Sequence, residues 1–248
     1  MGESDFSPVL ERLTYAVGDV HGRLDLLKLI LAEIEDDAKR YSIRDPQPRL
    51  IFLGDYVDRG AQSAGVIDLL SSDRLAGFET YFLKGNHEDV FLQFWADPAK
   101  GDDWKRIGGL ETLWSYGVTA PRNRGDIEGW RVAQQQLIER MPPAHLEFLD
   151  NLALAFEDER RLFVHAGVRP GRSIDEQAEV DLLWIRDAFL SHPAPYHKTV
   201  VHGHTPQLKP YKDKWRVGLD TGAYVTGVLS GARFWGPEVC LISTVSKT

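Results

Sequence analysis

The chain has 248 residues, a length that suits one large domain or two small ones. Hydrophobic residues make up 43% of the chain and charged residues 27%, so a disordered or low-complexity protein is excluded. The formal net charge of −8 disfavours a nonspecific nucleic-acid binder or an anionic-membrane binder, because both need a basic surface. A phosphorylated substrate remains compatible with this charge, since a metal cation can reverse the local field.

Cysteine content and the N-terminal residues predict a cytoplasmic protein. The single cysteine, Cys240, excludes a disulfide within the chain and fits a reducing compartment. It lies in an apolar run, residues 239–242, so we expect a buried and unreactive thiol. No apolar stretch approaches the length of a membrane-spanning helix, and residues 1–5 do not resemble a secretory signal.

The first half of the chain alternates between predicted strands and predicted helices. The strands are predicted at 13–17, 49–53 and 80–83, and the helices that follow them at 23–40, 66–70 and 89–95. Residues 97–129 are polar and glycine-rich, and Pro142-Pro143 opens a helix through Leu149. We interpret 97–150 as a helical insertion that could cover the site, within a single domain.

The second half is predicted to be mostly β. Its expected strands lie at 162–164, 199–201, 216–219, 227–229 and 239–242, and we expect the last three to be antiparallel.

Polar residues follow five of the apolar runs at the point where each run ends. The five segments are Gly18-Asp19-Val20-His21-Gly22, Gly54-Asp55-Tyr56-Val57-Asp58-Arg59-Gly60, Gly85-Asn86-His87-Glu88, His165-Ala166-Gly167 and Gly203-His204-Thr205-Pro206. Ligands bind at the carboxyl ends of strands in α/β sheets, so these segments are expected to meet. Burying such a cluster costs several kcal/mol unless a cation or hydrogen bonds offset it. Oxygen and nitrogen donors without thiolates suit Mn²⁺, Fe or Zn²⁺.

In this order, the motifs resemble the phosphoprotein phosphatase branch of the calcineurin-like metallophosphoesterases, and most closely a bacterial or phage-type serine/threonine protein phosphatase. The resemblance extends from Gly18 to about Gly222. It implies an α/β fold in which two mixed sheets form a β-sandwich flanked by helices. It also implies two divalent metal ions, with Mn²⁺ the first choice and Fe or Zn the alternatives.

The resemblance assigns a role to each motif residue. The implied metal ligands are Asp19, His21, Asp55, Asn86, His165 and His204, with Asp55 bridging the two ions. Metal-activated hydroxide would attack phosphorus, and Arg59, Asn86 and Arg186 would hold the phosphoryl group. His87 would protonate the leaving group while Asp58 orients the imidazole.

Some roles stay open. Arg186 could instead form an ion pair with Asp181 or Asp187, and Tyr224 could line the pocket or simply pack. His202 is expected to be a strand residue or a hydrogen-bond donor behind the ligands. The histidines outside the motifs, His145, His192 and His197, are expected on the surface.

The substrate also stays open. A phosphoprotein or a small phosphorylated molecule is expected, with no nucleic acid, membrane or regulatory subunit as partner. Ala166 also resembles diadenosine tetraphosphate hydrolases, so symmetric hydrolysis of a dinucleoside polyphosphate is the alternative. A catalytically silent metal-binding scaffold is a third possibility, although every expected ligand and the acid are present.

Overall fold

The computed structural model describes residues 12–41, 47–192 and 197–244. The strands are β1 Thr14–Val17, β2 Arg49–Phe52, β3 Glu79–Phe82, β4 Ala155–Glu157, β5 Arg161–Val164, β6 Thr199–His202, β7 Tyr211–Lys212, β8 Arg216–Gly218, β9 Ser230–Trp235 and β10 Glu238–Ser243. The α-helices are α1 Leu24–Arg40, α2 Ser63–Leu70, α3 Asn86–Ala96, α4 Gly101–Ile107, α5 Gly109–Ser115, α6 Ile127–Arg140, α7 Pro143–Asp150, α8 Glu179–Trp184, α9 Asp187–Leu190 and α10 Ala223–Thr226. Short 3₁₀ helices cover Asp73–Leu75, Pro98–Lys100 and Ile174–Glu176.

The strands form two mixed sheets of five strands each, which confirms the predicted architecture. In the first sheet the order is β10-β9-β1-β2-β3, and β1, β2 and β3 are parallel. In the second sheet the order is β4-β5-β6-β8-β7, and β5, β6 and β8 are parallel. The carboxyl ends of β1, β2 and β3 therefore share one edge, as do those of β5 and β6.

The two sheets pack face to face around an apolar core. This core includes Ile51 and Phe234 from the first sheet, and Phe163 and Val201 from the second. The rings of Phe163 and Phe234 meet edge to face with centroids 5.6 Å apart. Apolar residues of α1 pack on the other side of the first sheet at the spacing of one helix face. This packing fixes the strand ends from which the loops of the site leave.

The helical segment, defined here as residues 98–150, contains α4 to α7. It packs against α2 and α3 around a second apolar core that contains the fully buried Trp104 and Trp130. Trp114, by contrast, is 56% exposed. No helix in the described ranges is long and apolar enough to span a bilayer.

One strand prediction for the second half is wrong, and another is correct only in part. The strand at 216–218 is antiparallel to β7, as expected, but it is parallel to β6, because a crossover that includes β7 separates it from β6. Residues 227–229 form no strand: Gly227 adopts φ 71° and ends α10, so the next strand begins at Ser230.

Two burial predictions are also wrong. Cys240 is exposed, because β10 is an edge strand that pairs only with β9. His145 is 4% exposed, since α7 presents it to the second core. There its Nδ1 is 2.9 Å from the Tyr116 hydroxyl.

Candidate active site

The six side chains expected to bind metal come together at the carboxyl ends of the strands. Each follows β1, β2, β3, β5 or β6 directly, and none is more than 5% exposed. The side chains are those of Asp19, His21, Asp55, Asn86, His165 and His204. Their convergence turns five motifs scattered along the chain into one buried polar site.

The Asp55 carboxylate lies at the centre of this site, between two histidines. Its Oδ2 is 3.4 Å from His21 Nε2, and its Oδ1 is 3.4 Å from His165 Nε2. Two groups of potential metal ligands result, and both contain Asp55: one adds His21 and His87, the other His165 and His204. Within each group the ligand atoms lie within 4.8 Å of one another. A carboxylate shared in this way is the geometry expected of a bridging ligand.

Hydrogen bonds to the backbone orient two of the imidazoles. His21 Nδ1 donates to the Val57 carbonyl at 2.9 Å, and His165 Nδ1 donates to the Leu53 carbonyl at 2.8 Å. Burial lowers the pKa of His21 to about 3 and lowers the pKa of His165 below its ordinary value. Both rings are therefore neutral near pH 7, and each turns an Nε2 lone pair into the site.

Asn86 completes the second group. Its Oδ1 is 2.9 Å from His165 Nε2 and 2.8 Å from His204 Nδ1. Because the His165 proton is on Nδ1, its Nε2 and the Asn86 oxygen are two acceptors that face each other.

Asp19 lies beside His204 and belongs to neither of the two groups. Its carboxyl oxygens accept the His204 backbone N–H at 3.1 and 3.2 Å. Burial and the neighbouring Asp220 carboxyl raise the pKa of Asp19 well above its ordinary value. Asp220, which is 5% exposed and hydrogen-bonded to Asp19, was not assigned a role from the sequence. Its position in the Asp220-Thr221-Gly222 turn after β8 was the available signal.

The donor set fits divalent cations. His165 Nε2 and Asn86 Oδ1 are two buried acceptors that lie 2.9 Å apart with no proton between them. Such an arrangement is unfavourable unless positive charge lies among the acceptors. Imidazole, carboxylate and amide ligands suit Mn²⁺, Fe or Zn²⁺ and do not select one of them.

His87 and Asp58 form a buried pair next to Asp55. His87 Nδ1 is 2.7 Å from Asp58 Oδ2, and its Nε2 is 3.9 Å from Asp55 Oδ2. Burial lowers the pKa of His87, but the carboxylates of Asp55 and Asp58 outweigh burial and raise it above its ordinary value. A ring with these neighbours can carry a proton on the nitrogen that faces the site.

Arg59 is held at the edge of the site by stacking and by backbone contacts. Its guanidinium lies 4.7 Å from the centroid of the Tyr224 ring, which meets the His21 ring edge to face at 5.3 Å. Its Nε donates to the Ile107 carbonyl at 3.4 Å. Tyr224 thus packs between Arg59 and His21, where it supports the arginine.

Arg186 contacts His204. Its Nε donates to His204 Nε2 at 3.0 Å, and its Nη2 donates to the His204 carbonyl at 3.4 Å. Asp181, one of the two alternative ion-pair partners expected for Arg186, accepts two hydrogen bonds from Arg169. His202 lies behind the site, with Nε2 2.9 Å from the Tyr211 hydroxyl.

Glu88, the last residue of the third motif, has a role that the sequence patterns do not predict. It is fully buried, and its carboxylate accepts the backbone N–H groups of Asp55, Tyr56, Val57 and Gly85. Burial raises its pKa to about 7. The side chain joins the loops after β2 and β3, so it fixes the backbone around Asp55. Its place as the third residue of α3, after Gly85, was the signal.

Gly108 provides a test of how Arg59 is held. Gly108 has φ 113°, and a Cβ there would lie 2.7 Å from Arg59 Cγ and 2.9 Å from Arg59 N. We expect Gly108→Ala to displace Arg59 and raise KM for a phosphate ester roughly tenfold or more, the loss of one charged hydrogen bond. Gly125→Ala is the matched control, because Gly125 has φ 76° with nothing within 4 Å of its Cβ position. Equal KM values for the two variants would contradict this.

Curated proteins of similar length match the sequence along most of the chain. The sequence is 28% identical to the asymmetrical bis(5'-nucleosyl)-tetraphosphatase PrpE of Halalkalibacterium halodurans, over 93% of each chain. It is also 28% identical to PrpE of Oceanobacillus iheyensis, over 93% of this chain and 91% of that one.

Solved structures share the fold. A candidate diadenosine tetraphosphatase superposes with a TM-score of 0.60 at 21% identity, over 96% of both chains. A serine/threonine phosphatase of Saccharomyces cerevisiae superposes with a TM-score of 0.58 at 14% identity, over 96% of this chain and 81% of that one. The sequence profile of the calcineurin-like phosphoesterases matches residues 13–228, so the chain belongs to the calcineurin-like phosphoesterase family.

Proposed function

We propose that the protein hydrolyses a phosphoanhydride bond of a bis(5'-nucleosyl) tetraphosphate, asymmetrically. The observation that carries this proposal is the match to asymmetrical tetraphosphatases along 93% of both chains. It favours the dinucleotide over the phosphoprotein that the sequence motifs first suggested, and asymmetrical over symmetric cleavage. The site adds chemical support, because its donors suit a pair of cations and two arginines flank them.

We assign the ions to the six residues expected from the sequence. His21 and Asp19 would serve one ion, Asn86, His165 and His204 the other, and Asp55 both. Bound there, two divalent ions, Mn²⁺ by preference, would lower the pKa of water and neutralise phosphate charge.

The remaining residues of the site act on the substrate. Arg59 lies near the His21 group and Arg186 contacts His204 of the other group, so both can bind phosphoryl oxygens. His87 would give its Nε2 proton to the oxygen that leaves phosphorus, and Asp58 would stabilise the cationic ring until then.

A substrate panel tests this proposal. Protein reconstituted with Mn²⁺ is assayed with diadenosine tetraphosphate and with a phosphoserine peptide, and products are separated by chromatography. We expect a higher kcat/KM for the dinucleotide, with ATP and AMP as products, and loss of turnover after chelation. Two molecules of ADP would contradict asymmetrical cleavage. A clear preference for the peptide would overturn the proposed substrate.

A serine/threonine protein phosphatase is the second candidate. The favouring observation is the His87–Asp58 pair at 2.7 Å. A serine alkoxide is a poor leaving group that needs a proton, whereas a nucleotide phosphate leaves more easily without one. The peptide arm of the same panel measures this activity directly.

A further inference from the structure

The helical segment contacts the carboxylate that orients the proposed acid. Trp104 of α4 directs its Nε1–H at Asp58, 3.0 Å from each carboxyl oxygen. Thr112 of α5 donates its hydroxyl to Asp58 Oδ1 at 2.7 Å. With His87 on Oδ2, both oxygens of this carboxylate have protein donors. All four side chains are almost completely buried, so water does not compete for these bonds.

Thr112 also holds the backbone of Asp58. Its Oγ1 accepts the Asp58 N–H at 2.8 Å, and the same N–H lies 3.1 Å from Ser63 Oγ. Asp58 adopts φ 71° and Arg59 φ 66°, a left-handed conformation that costs roughly 1–2 kcal/mol for each such residue. The Arg59 N–H donates to the Gly108 carbonyl, between α4 and α5, at 3.0 Å. The helical segment therefore stabilises a conformation that this loop does not favour by itself.

Packing alone does not account for these contacts. Trp104 stacks on Phe94 with centroids 4.8 Å apart and meets Phe91 edge to face, and a phenylalanine could supply similar apolar contact. Its buried N–H needs an acceptor, but the acceptor here is the carboxylate that binds His87. The Thr112 hydroxyl could form a hydrogen bond with Ser63 Oγ alone, which lies 3.0 Å away. It nevertheless lies within hydrogen-bond distance of Asp58 Oδ1 as well.

We propose that Trp104 and Thr112 are positioning residues that clamp Asp58, so that the helical segment aligns His87 for proton transfer to the leaving group. This inference rests on the proposed function insofar as it takes His87 to be the general acid. It concerns any leaving group and does not depend on the substrate being a dinucleotide.

Leaving-group dependence tests the clamp. Trp104→Phe and Thr112→Val are compared with wild type on phenyl phosphate, whose leaving group needs a proton, and on p-nitrophenyl phosphate, whose leaving group needs it less. We expect kcat for phenyl phosphate to fall roughly ten- to hundredfold, as for loss of one hydrogen bond to a charged group. The loss with p-nitrophenyl phosphate is expected to be several-fold smaller. Thr112→Ser should restore turnover, because it keeps the hydroxyl.

A double-mutant cycle separates the clamp from general destabilisation. In an Asp58→Asn background, Trp104→Phe and Thr112→Val should cause little further loss, because their effect passes through the Asp58 carboxylate. Trp114→Phe, at an exposed tryptophan of the same segment, is the control and should turn over both esters like wild type.

Three results would overturn the clamp: equal losses on both esters, no loss on either ester, or additive losses in the Asp58→Asn background. If Trp104→Phe does not fold, the comparison of Thr112→Val with Thr112→Ser tests the clamp by itself. Turnover of phenyl phosphate without turnover of diadenosine tetraphosphate would overturn the proposed substrate, and the clamp would still be tested by the esters.

Discussion

His87→Asn is expected to lose about 10²–10⁴-fold in kcat on esters with poor leaving groups, the usual contribution of a general acid. Asp55 and Asp58 raise the pKa of His87, which favours a protonated ring next to the site, and asparagine cannot supply that proton. The backbone N–H of residue 87, which donates to Asp55 Oδ1 at 3.1 Å, is kept in the variant. The loss on diadenosine tetraphosphate should be smaller, because a nucleotide phosphate needs less protonation.

The measurement combines steady-state kinetics with metal analysis. His87 Nε2 belongs to one of the two geometric ligand groups, so metal content distinguishes an acid from a ligand. If His87→Asn keeps the wild-type metal content but turns over more slowly, His87 acts as the general acid. If the variant loses metal, His87 is a metal ligand. His197→Asn, at an exposed histidine outside the site, is the control. Unchanged turnover of phenyl phosphate by His87→Asn would remove this residue from the mechanism.

Asp55→Asn is expected to lower the occupancy of both metal positions and nearly abolish turnover. One Asp55 oxygen faces His21 and the other faces His165, so a single substitution weakens both groups. The loss of metal affinity and activity should exceed roughly 10–100-fold, the usual effect of removing a residue that hydrogen-bonds to a metal ligand. Elemental analysis after reconstitution with Mn²⁺ measures the occupancy.

Asp150→Asn provides the matched control, because it makes the same chemical change at an exposed position at the end of α7. It should retain wild-type metal content. Two ions per chain in Asp55→Asn would contradict a bridging role for this carboxylate, even if activity were lost.

Sequence patterns predicted the structural features that depend on residues close together along the chain. Apolar runs that end in Asp, Asn or His identified the strands β1, β2, β3, β5 and β6, and hence the site at their carboxyl ends. Their convergence followed from one general property of parallel strands. The identity of the ions that these residues bind stays a prediction. The interpretation of the chain as a single domain also stays a prediction.

Contacts between distant segments could not be predicted in this way. Trp104 and Thr112 lie 46 and 54 residues from Asp58, and no local pattern links an indole to a particular carboxylate. Likewise, the burial of His145 depends on how α7 docks, and the exposure of Cys240 on β10 being an edge strand. Both are properties of the assembled sheets and helices.

The unusual backbone of the site has a consequence for engineering this protein. Within the described ranges, five non-glycine residues have positive φ: His21, Asp55, Asp58, Arg59 and His204. Each belongs to the proposed machinery, so glycine there would relax the loop and remove a functional group at the same time. A selection for thermal stability that does not measure turnover would therefore favour substitutions at these five positions. The stabilised variants that it selects there would be inactive.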